Sequence, residues 1–244
     1  MKNMQLLRKE LMFNSNLTTI VWIICLIGMQ LIPSYPVYIG PFYITLCIML
    51  SFAMNQTSHD ILYTVLLPVR KIDTVKARFL YCGCSECLAI IISMIIGIIR
   101  IVLHFPLNDA GTNLNVAYLG FQLIIFAVFN MIFLGNIYRN PLKCGVKYFI
   151  SAFAYFLVYT VFELPVWNFM GKLKDLEIKA AAFTPAISTE GWTLFERLGA
   201  IIYPLDGVSL VRQLPVLGIG IVIYALSWPI TFHWASRQFE KYDM

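Results

Sequence analysis

The chain has 244 residues, of which 59% are hydrophobic and only 13% charged, with a formal net charge of +5. Ordinary soluble domains are about 45–50% apolar and about 25% charged, so the composition excludes one of those and points to a single transmembrane domain, 1–244, of the all-α class. A membrane-spanning helix needs about 20 mostly apolar residues, and the charges leave six stretches of that order.

The first 16 residues, "MKNMQLLRKELMFNSN", place Met4, Leu7 and Leu11 on one helical face, with Lys2, Arg8, Lys9 and Glu10 mostly off it. That pattern suits a helix lying in the membrane interface, with Ser15 or Asn16 able to cap the first span. No charge lies between Glu10 and Asp60, which leaves room for spans one and two in residues 17–54, Leu17 to Pro33 and Val37 to Met54, turned by "PSYP". The residues after span one, "IPSYPVY", carry no small-x-small cleavage site, so that span reads as an anchor and not a removed signal.

Residues 55–78 are the polar exception in the first hundred. "TSHD" is a cap signal through Thr57 or Ser58, and "ILYTVLL" is too short and too closely flanked by charge to span. A short helix on the membrane face fits, with Ile61, Leu62 and Val65 toward protein and lipid. Pro68 ends it, because proline removes a donor and disfavours helix at the residue before it. "VRKIDTVKAR" then restarts as a basic amphipathic turn.

Spans three and four occupy 79–135: Phe79 to Leu103, holding Glu86 and Arg100, and about Ala110 to Gly135. An inner loop, 136–147, precedes span five at 148–170, which carries Glu163. The outer segment 171–212 begins charged and helix-prone with "GKLKDLEIKAAAF". It continues with "LGAIIYPLDGVSLV", an apolar run too short to span and broken by Pro204 and Gly207, which reads as interfacial or re-entrant. Span six is 213–236.

Six spans put both termini on one side. With the N-terminus inside, the inner segments hold twelve of the eighteen Lys and Arg residues and the outer loops five, with Arg100 near an outer span end. Short cytoplasmic loops carry that excess, so the expected location is a cell membrane, multi-pass, with cytoplasmic termini. The positive charge then requires no nucleic acid.

Six cysteines, Cys25, Cys47, Cys82, Cys84, Cys87 and Cys144, raise a metal or redox reading. On a helix Cys84 and Cys87 share a face, whereas Cys82 and Cys84 are roughly 200° apart, so "CGCSEC" does not converge on one ion and no metal site is expected. His59, His104 and His233 fall in separate places. No phosphate-cradling glycine loop, H-E-x-x-H or G-x-S-x-G elbow occurs, so no catalytic residue is assigned. The intramembrane ionisable groups remain as candidates. Glu86, about two turns into span three, either lines a path or faces an inner vestibule. Arg100 either snorkels to the interface or pairs with Glu163 at similar depth.

The run "LLPVRKIDTVKAR", between a polar loop and a new span, resembles the permeases of ABC type-2 transporters through Leu67, Pro68, Val69, Arg70, Lys71 and Lys76. The serine usual between the valine and the arginine is absent. The N-terminal "RKEL" and the six-span layout are similar as well, and among such permeases the chain is similar to the membrane subunits of bacterial peptide exporters, including those for phenol-soluble modulins. The resemblance implies a non-catalytic subunit of an exporter for amphipathic or hydrophobic substrates, peptides above all. ATP and Mg would be bound by a separate ATP-binding subunit, present in two copies, and no cofactor by this chain. A second permease, identical or a close paralogue, would complete the pathway.

Ser58, His59, Asp60, Ile61, Leu62, Leu66, Leu67, Pro68, Arg70 and Lys71 would form the coupling element that seats in the ATPase. Arg139, Asn140, Pro141 and Lys143 would make a second inner contact, and the outer helices before span six would roof the pathway. Against this stands a reading in which Arg70 and Lys71 only face lipid phosphates. At the level of the whole chain the alternatives are an intramembrane enzyme and a self-protection protein that binds a peptide without transporting it.

Overall fold

The computed structural model describes residues 6, 8–12, 17–58, 70–175 and 191–241. Among them there are helices and turns and no strand. We number the helices α1 (Leu17–Leu31), α2 (Ile39–Thr57), α3 (Lys71–Val102), α4 (Val116–Asn136), α5 (Cys144–Asp175), α6 (Leu194–Ile202) and α7 (Gly207–Glu240). Two short 3-10 turns, Ile137–Arg139 and Pro141–Lys143, join α4 to α5.

Five helices, α2 to α5 and α7, are long and apolar enough to cross a membrane, so the chain is an all-α protein of membrane type. α1 has 15 residues, about 22 Å at 1.5 Å per residue, against a hydrocarbon core of about 30 Å. The burial pattern is the inverse of a soluble protein. Leu226 is 60% exposed, Phe149 73% and Ile98 54%, while Gln30, Glu86, Gln122 and Gln213 are fully buried.

Several boundaries differ from those expected. α3 begins at Lys71, not Phe79, and has no break at Arg78, because "KIDTVKAR" contains no glycine or proline after Pro68. α4 begins at Val116, not Ala110, because the Asn115 side chain accepts from the Tyr118 amide at 3.0 Å and fixes the cap there. α5 continues past Met170 to Asp175. The 14-residue apolar run does break as expected. α6 ends at Ile202, and α7 starts at Gly207, capped by Asp206, whose Oδ1 accepts from the Ser209 amide at 2.6 Å.

α6 opens on a reciprocal cap. Thr193 Oγ1 accepts from the Glu196 amide at 3.3 Å, and Glu196 Oε2 accepts from the Thr193 amide at 2.6 Å, satisfying two donors that the helix start leaves free. That backbone bond holds the Glu196 carboxyl below its ordinary pKa.

α4 is the centre of the bundle, flanked by α5 and α7. It crosses α7 with the two backbones in contact. A Cβ added at Gly220 would lie 2.8 Å from the Gly120 Cα, and one added at Gly120 would lie 2.7 Å from the Val216 carbonyl carbon. Small residues let helices approach this closely where no hydrophobic driving force separates helix from lipid. Aromatic rings fill the rest of the core: Phe129 and Phe133 stack at 5.3 Å, and Phe42 meets Tyr155 edge-on at 5.3 Å.

The crossing yields a signed prediction. Alanine is favoured over glycine in a helix by about 1 kcal/mol, so Gly218→Ala, where nothing lies within 4 Å of the new Cβ, should leave thermal stability in detergent unchanged or raised. Gly220→Ala should lower it by about 1–3 kcal/mol, the usual cost of overpacking. Equal effects at the two sites would remove the crossing from the account.

Candidate functional site

The candidate residues fall into three groups. At the end of the bundle where α2 ends and α3 begins, Ser58 is exposed, closes α2, and donates through Oγ to the Met54 carbonyl at 2.9 Å. His59, Asp60, Ile61, Leu62, Leu66, Leu67 and Pro68 lie outside the described residues, as do Met4, Leu7, Ser15 and Asn16. Arg70 precedes α3 in extended backbone and is exposed. It donates to both carboxylate oxygens of Asp73, at 3.0 and 3.2 Å, and that pairing raises the Arg70 pKa. Lys71 is half-buried.

The second inner contact sits in the two 3-10 turns. Arg139 and Lys143 are exposed, Asn140 is half-buried and Pro141 is buried. Between them Leu142 is 83% exposed. Lys147 donates to the carbonyls of Asn136 at 2.6 Å and Asn140 at 2.8 Å, placing a cation where the α4 dipole leaves negative charge. Gln56, at the end of α2, donates to the Pro141 carbonyl, so the segments on either side of this end are tied together.

Residues 8–12 are helical, and Leu6 and Glu10 are buried against the same end while Leu11 and Met12 are exposed. Glu10 Oε1 is 3.7 Å from Arg78 Nε, and the Arg78 guanidinium carbon lies 5.5 Å from the centre of the Phe52 ring. Arg78 read in sequence as one more inner charge. It is instead 2% exposed and holds the N-terminal segment to α3.

Glu86 is the second group. With α3 beginning at Lys71, it lies near the helix midpoint, not two turns from an end. Its Oε2 accepts from Tyr224 Oη of α7 at 2.6 Å and from Asn130 Nδ2 of α4 at 2.9 Å. Its Oε1 and the Asn130 Oδ1 have no donor among the described residues. Three helices thus meet on one carboxyl group, and two buried acceptor oxygens remain open to a donor or a cation. Cys82, one turn earlier, is buried, whereas Cys84 and Cys87 are exposed, so Cys82 faces away from the other two as the spacing requires.

The third group is at the opposite end. Arg100 does not pair with Glu163. Its Nη1 and Nη2 donate to the carbonyls of Gln30 and Pro106, each at 3.1 Å, and Gln30 Nε2 donates to Ser93 Oγ at 2.7 Å and to Tyr118 Oη at 2.8 Å. Glu163 instead accepts from the Thr112 amide with both oxygens, at 3.2 and 3.0 Å, and fills the space where Gly111 would otherwise carry a side chain.

The segment before α4, read as part of a span, is a buried polar knot. Asn113 donates to the Tyr203 carbonyl at 2.7 Å, Asn115 to the Ile202 carbonyl at 2.5 Å and Gln213 to the Ile201 carbonyl at 2.8 Å. These side chains satisfy the end of α6. An inventory of charges does not reveal the knot, because its members are uncharged. The signal that could have found it is the uncharged set Gln30, Gln122, Asn130 and Gln213 in apolar runs, with Asn115 as a cap before "VAYLGF".

Asn130 is about 21 Å along α4 from Val116, at 1.5 Å per residue, and Thr112 lies beyond that start, so the Glu86 and Glu163 sites are far apart. Among the described residues, no cysteine or histidine is hydrogen-bonded to either carboxyl group. Compared with protein-family models, with curated proteins and with solved structures, the chain matches none.

If Glu86 is the joint between α3, α4 and α7, then Tyr224→Phe and Asn130→Ala should each lower thermal stability in detergent by about 1–3 kcal/mol, the cost of a buried acceptor losing its donor. In a Glu86→Leu background the same two changes should cost much less, since the shared acceptor is gone. Undiminished costs in that background would show that the three side chains are not coupled.

Proposed function

We propose that the chain is the membrane subunit of an ATP-driven exporter for amphipathic or hydrophobic substrates, peptides above all. In this reading six spans place both termini in the cytoplasm, two permease copies make the pathway, and two separate ATP-binding subunits supply energy to Ser58 to Leu67, Pro68, Arg70 and Lys71. The observation that carries the reading is α3. It runs unbroken for 32 residues from Lys71, the last residue of the proposed coupling element, past Glu86 at its middle. A push at its start therefore moves the three-helix joint as a rigid body.

Two further features support it. The Gln56 to Pro141 hydrogen bond ties the end of α2, where the proposed coupling element begins, to the second proposed contact, so that end and the second contact form one braced platform. Leu142 presents an apolar side chain from that platform, between Arg139 and Lys143. The wide separation of Glu86 and Glu163 weighs against an intramembrane enzyme that would need both. A peptide-binding protein that does not pump differs from an exporter only in energised transport.

The test is reconstitution with the ATP-binding subunit. The isolated chain should hydrolyse no ATP above background. Two glycines inserted after Leu67 leave spans, charges and helix sequence intact while loosening the link to α3. Membrane insertion and ATP hydrolysis by the partner should continue, and substrate export should be lost. Full-rate export by the insertion variant, or robust ATPase activity of the chain alone, would defeat the proposal.

A further inference from the structure

A groove of about 480 Å³ opens between α3 and α7 at the basic end of the bundle. On α3 its wall is Ile72, Asp73, Lys76, Phe79 and Leu80, with Arg70 at the rim. The helical positions recur at intervals of three or four residues, which places them on one face. On α7 its wall is Trp228, Pro229 and Phe232. Phe79 meets Trp228 and Phe232 edge-on, at 5.7 and 5.5 Å, so the floor is a fixed aromatic surface.

We propose that this groove is the seat of one anionic phospholipid, its phosphate at Lys76 and Arg70 and an acyl chain along Phe79, Leu80, Trp228 and Phe232. Three observations select that occupant. The first is the polarity gradient: every charge in the lining is at Arg70 or in the first two turns of α3, and every aromatic group lies deeper. The second is length. From Arg70 to Leu80 is about 15 Å along the helix, enough to seat a headgroup phosphate and the upper part of one acyl chain.

The third is charge. Asp73 is already engaged by Arg70, whereas Lys76 is exposed and has no hydrogen-bond or ion-pair partner among the described residues. The lining therefore presents a free ammonium to an incoming phosphate. A zwitterionic lipid would fill the apolar part equally well, but only a net negative headgroup gains from the surplus cation. Trp228 adds an amphipathic ring of the kind enriched at membrane interfaces.

The leaflet concerned depends on the orientation proposed above, but the binding itself does not. It can be read without partner, ATP or transport, so its failure is distinct from failure of the exporter reading. The probe is dioleoyl-phosphatidylglycerol doped into dioleoyl-phosphatidylcholine nanodiscs holding the full chain. Native mass spectrometry should find one phosphatidylglycerol retained per chain in preference to phosphatidylcholine. Lys76→Gln and Arg70→Gln should each weaken that retention roughly fivefold, the effect of one basic side chain near an anionic surface.

A second readout covers variants that fold poorly. Phosphatidylglycerol brominated on its acyl chain should quench a part of the tryptophan fluorescence that Trp228→Phe removes, and brominated phosphatidylcholine should quench that part less. Retention of both lipids alike, or no change in the charge variants, would overturn recognition of the phosphate. Loss of the quenching as protein density rises would mean that a second copy covers the groove and would overturn the lipid seat. So would displacement of the lipid by an amphipathic peptide at low concentration.

Discussion

In apolar surroundings a polar group has only its own protein to bond to, and this constraint organises the chain. Gln30, Arg100, Asn113, Asn115, Glu163 and Gln213 all turn inward and reach backbone or side-chain partners in other segments. The outward faces of α3, α5 and α7 are left to leucine, isoleucine, valine and phenylalanine. The helices pack through these bonds and through the glycine crossing of α4 and α7, because burial of apolar surface gives little net drive when lipid is as apolar as the core.

The same constraint gives the bundle two different ends. At one, the cap of α4, the knot from Asn108 to Asn115 and the terminal carbonyls of α6 close on one another, and the Tyr203 hydroxyl donates to the Asn108 carbonyl at 3.1 Å. Burial, together with the nearby Asp109, pushes that hydroxyl's pKa up to about 12, so it stays a donor throughout the working range. At the other end the contacts among the described residues are more charged: Arg78 with Glu10, Lys147 on the carbonyls that end α4, and Arg70 with Asp73. α3, with Glu86 near its middle, runs between the two ends.

The sequence was most legible where charge and apolar length speak together. The five long helices, the break at Pro204 to Gly207 and the divergence of Cys82 from Cys84 and Cys87 follow from spacing alone. It was least legible where uncharged polar residues do the structural work. Asn115 moved the start of α4 by six residues from Ala110, and Glu163 found a backbone amide in place of Arg100, because a glycine beside Thr112 leaves room for a carboxylate that no periodicity encodes. Arg78 looked like a topology signal, since a buried ion pair to a residue 68 positions earlier leaves no local trace. Glu86 was legible as a buried charge, whereas Tyr224 and Asn130, which come from other helices, were not.

The exporter reading and the choice of leaflet rest on which side the basic end faces, and one measurement decides it. In a background with the native cysteines replaced, single cysteines at Arg70 and at Lys174 are exposed to an impermeant thiol reagent on intact cells, then again after permeabilisation. The account predicts labelling at Lys174 in intact cells and at Arg70 only after permeabilisation. Labelling at Arg70 in intact cells, with Lys174 protected, would invert the protein in the membrane and contradict it.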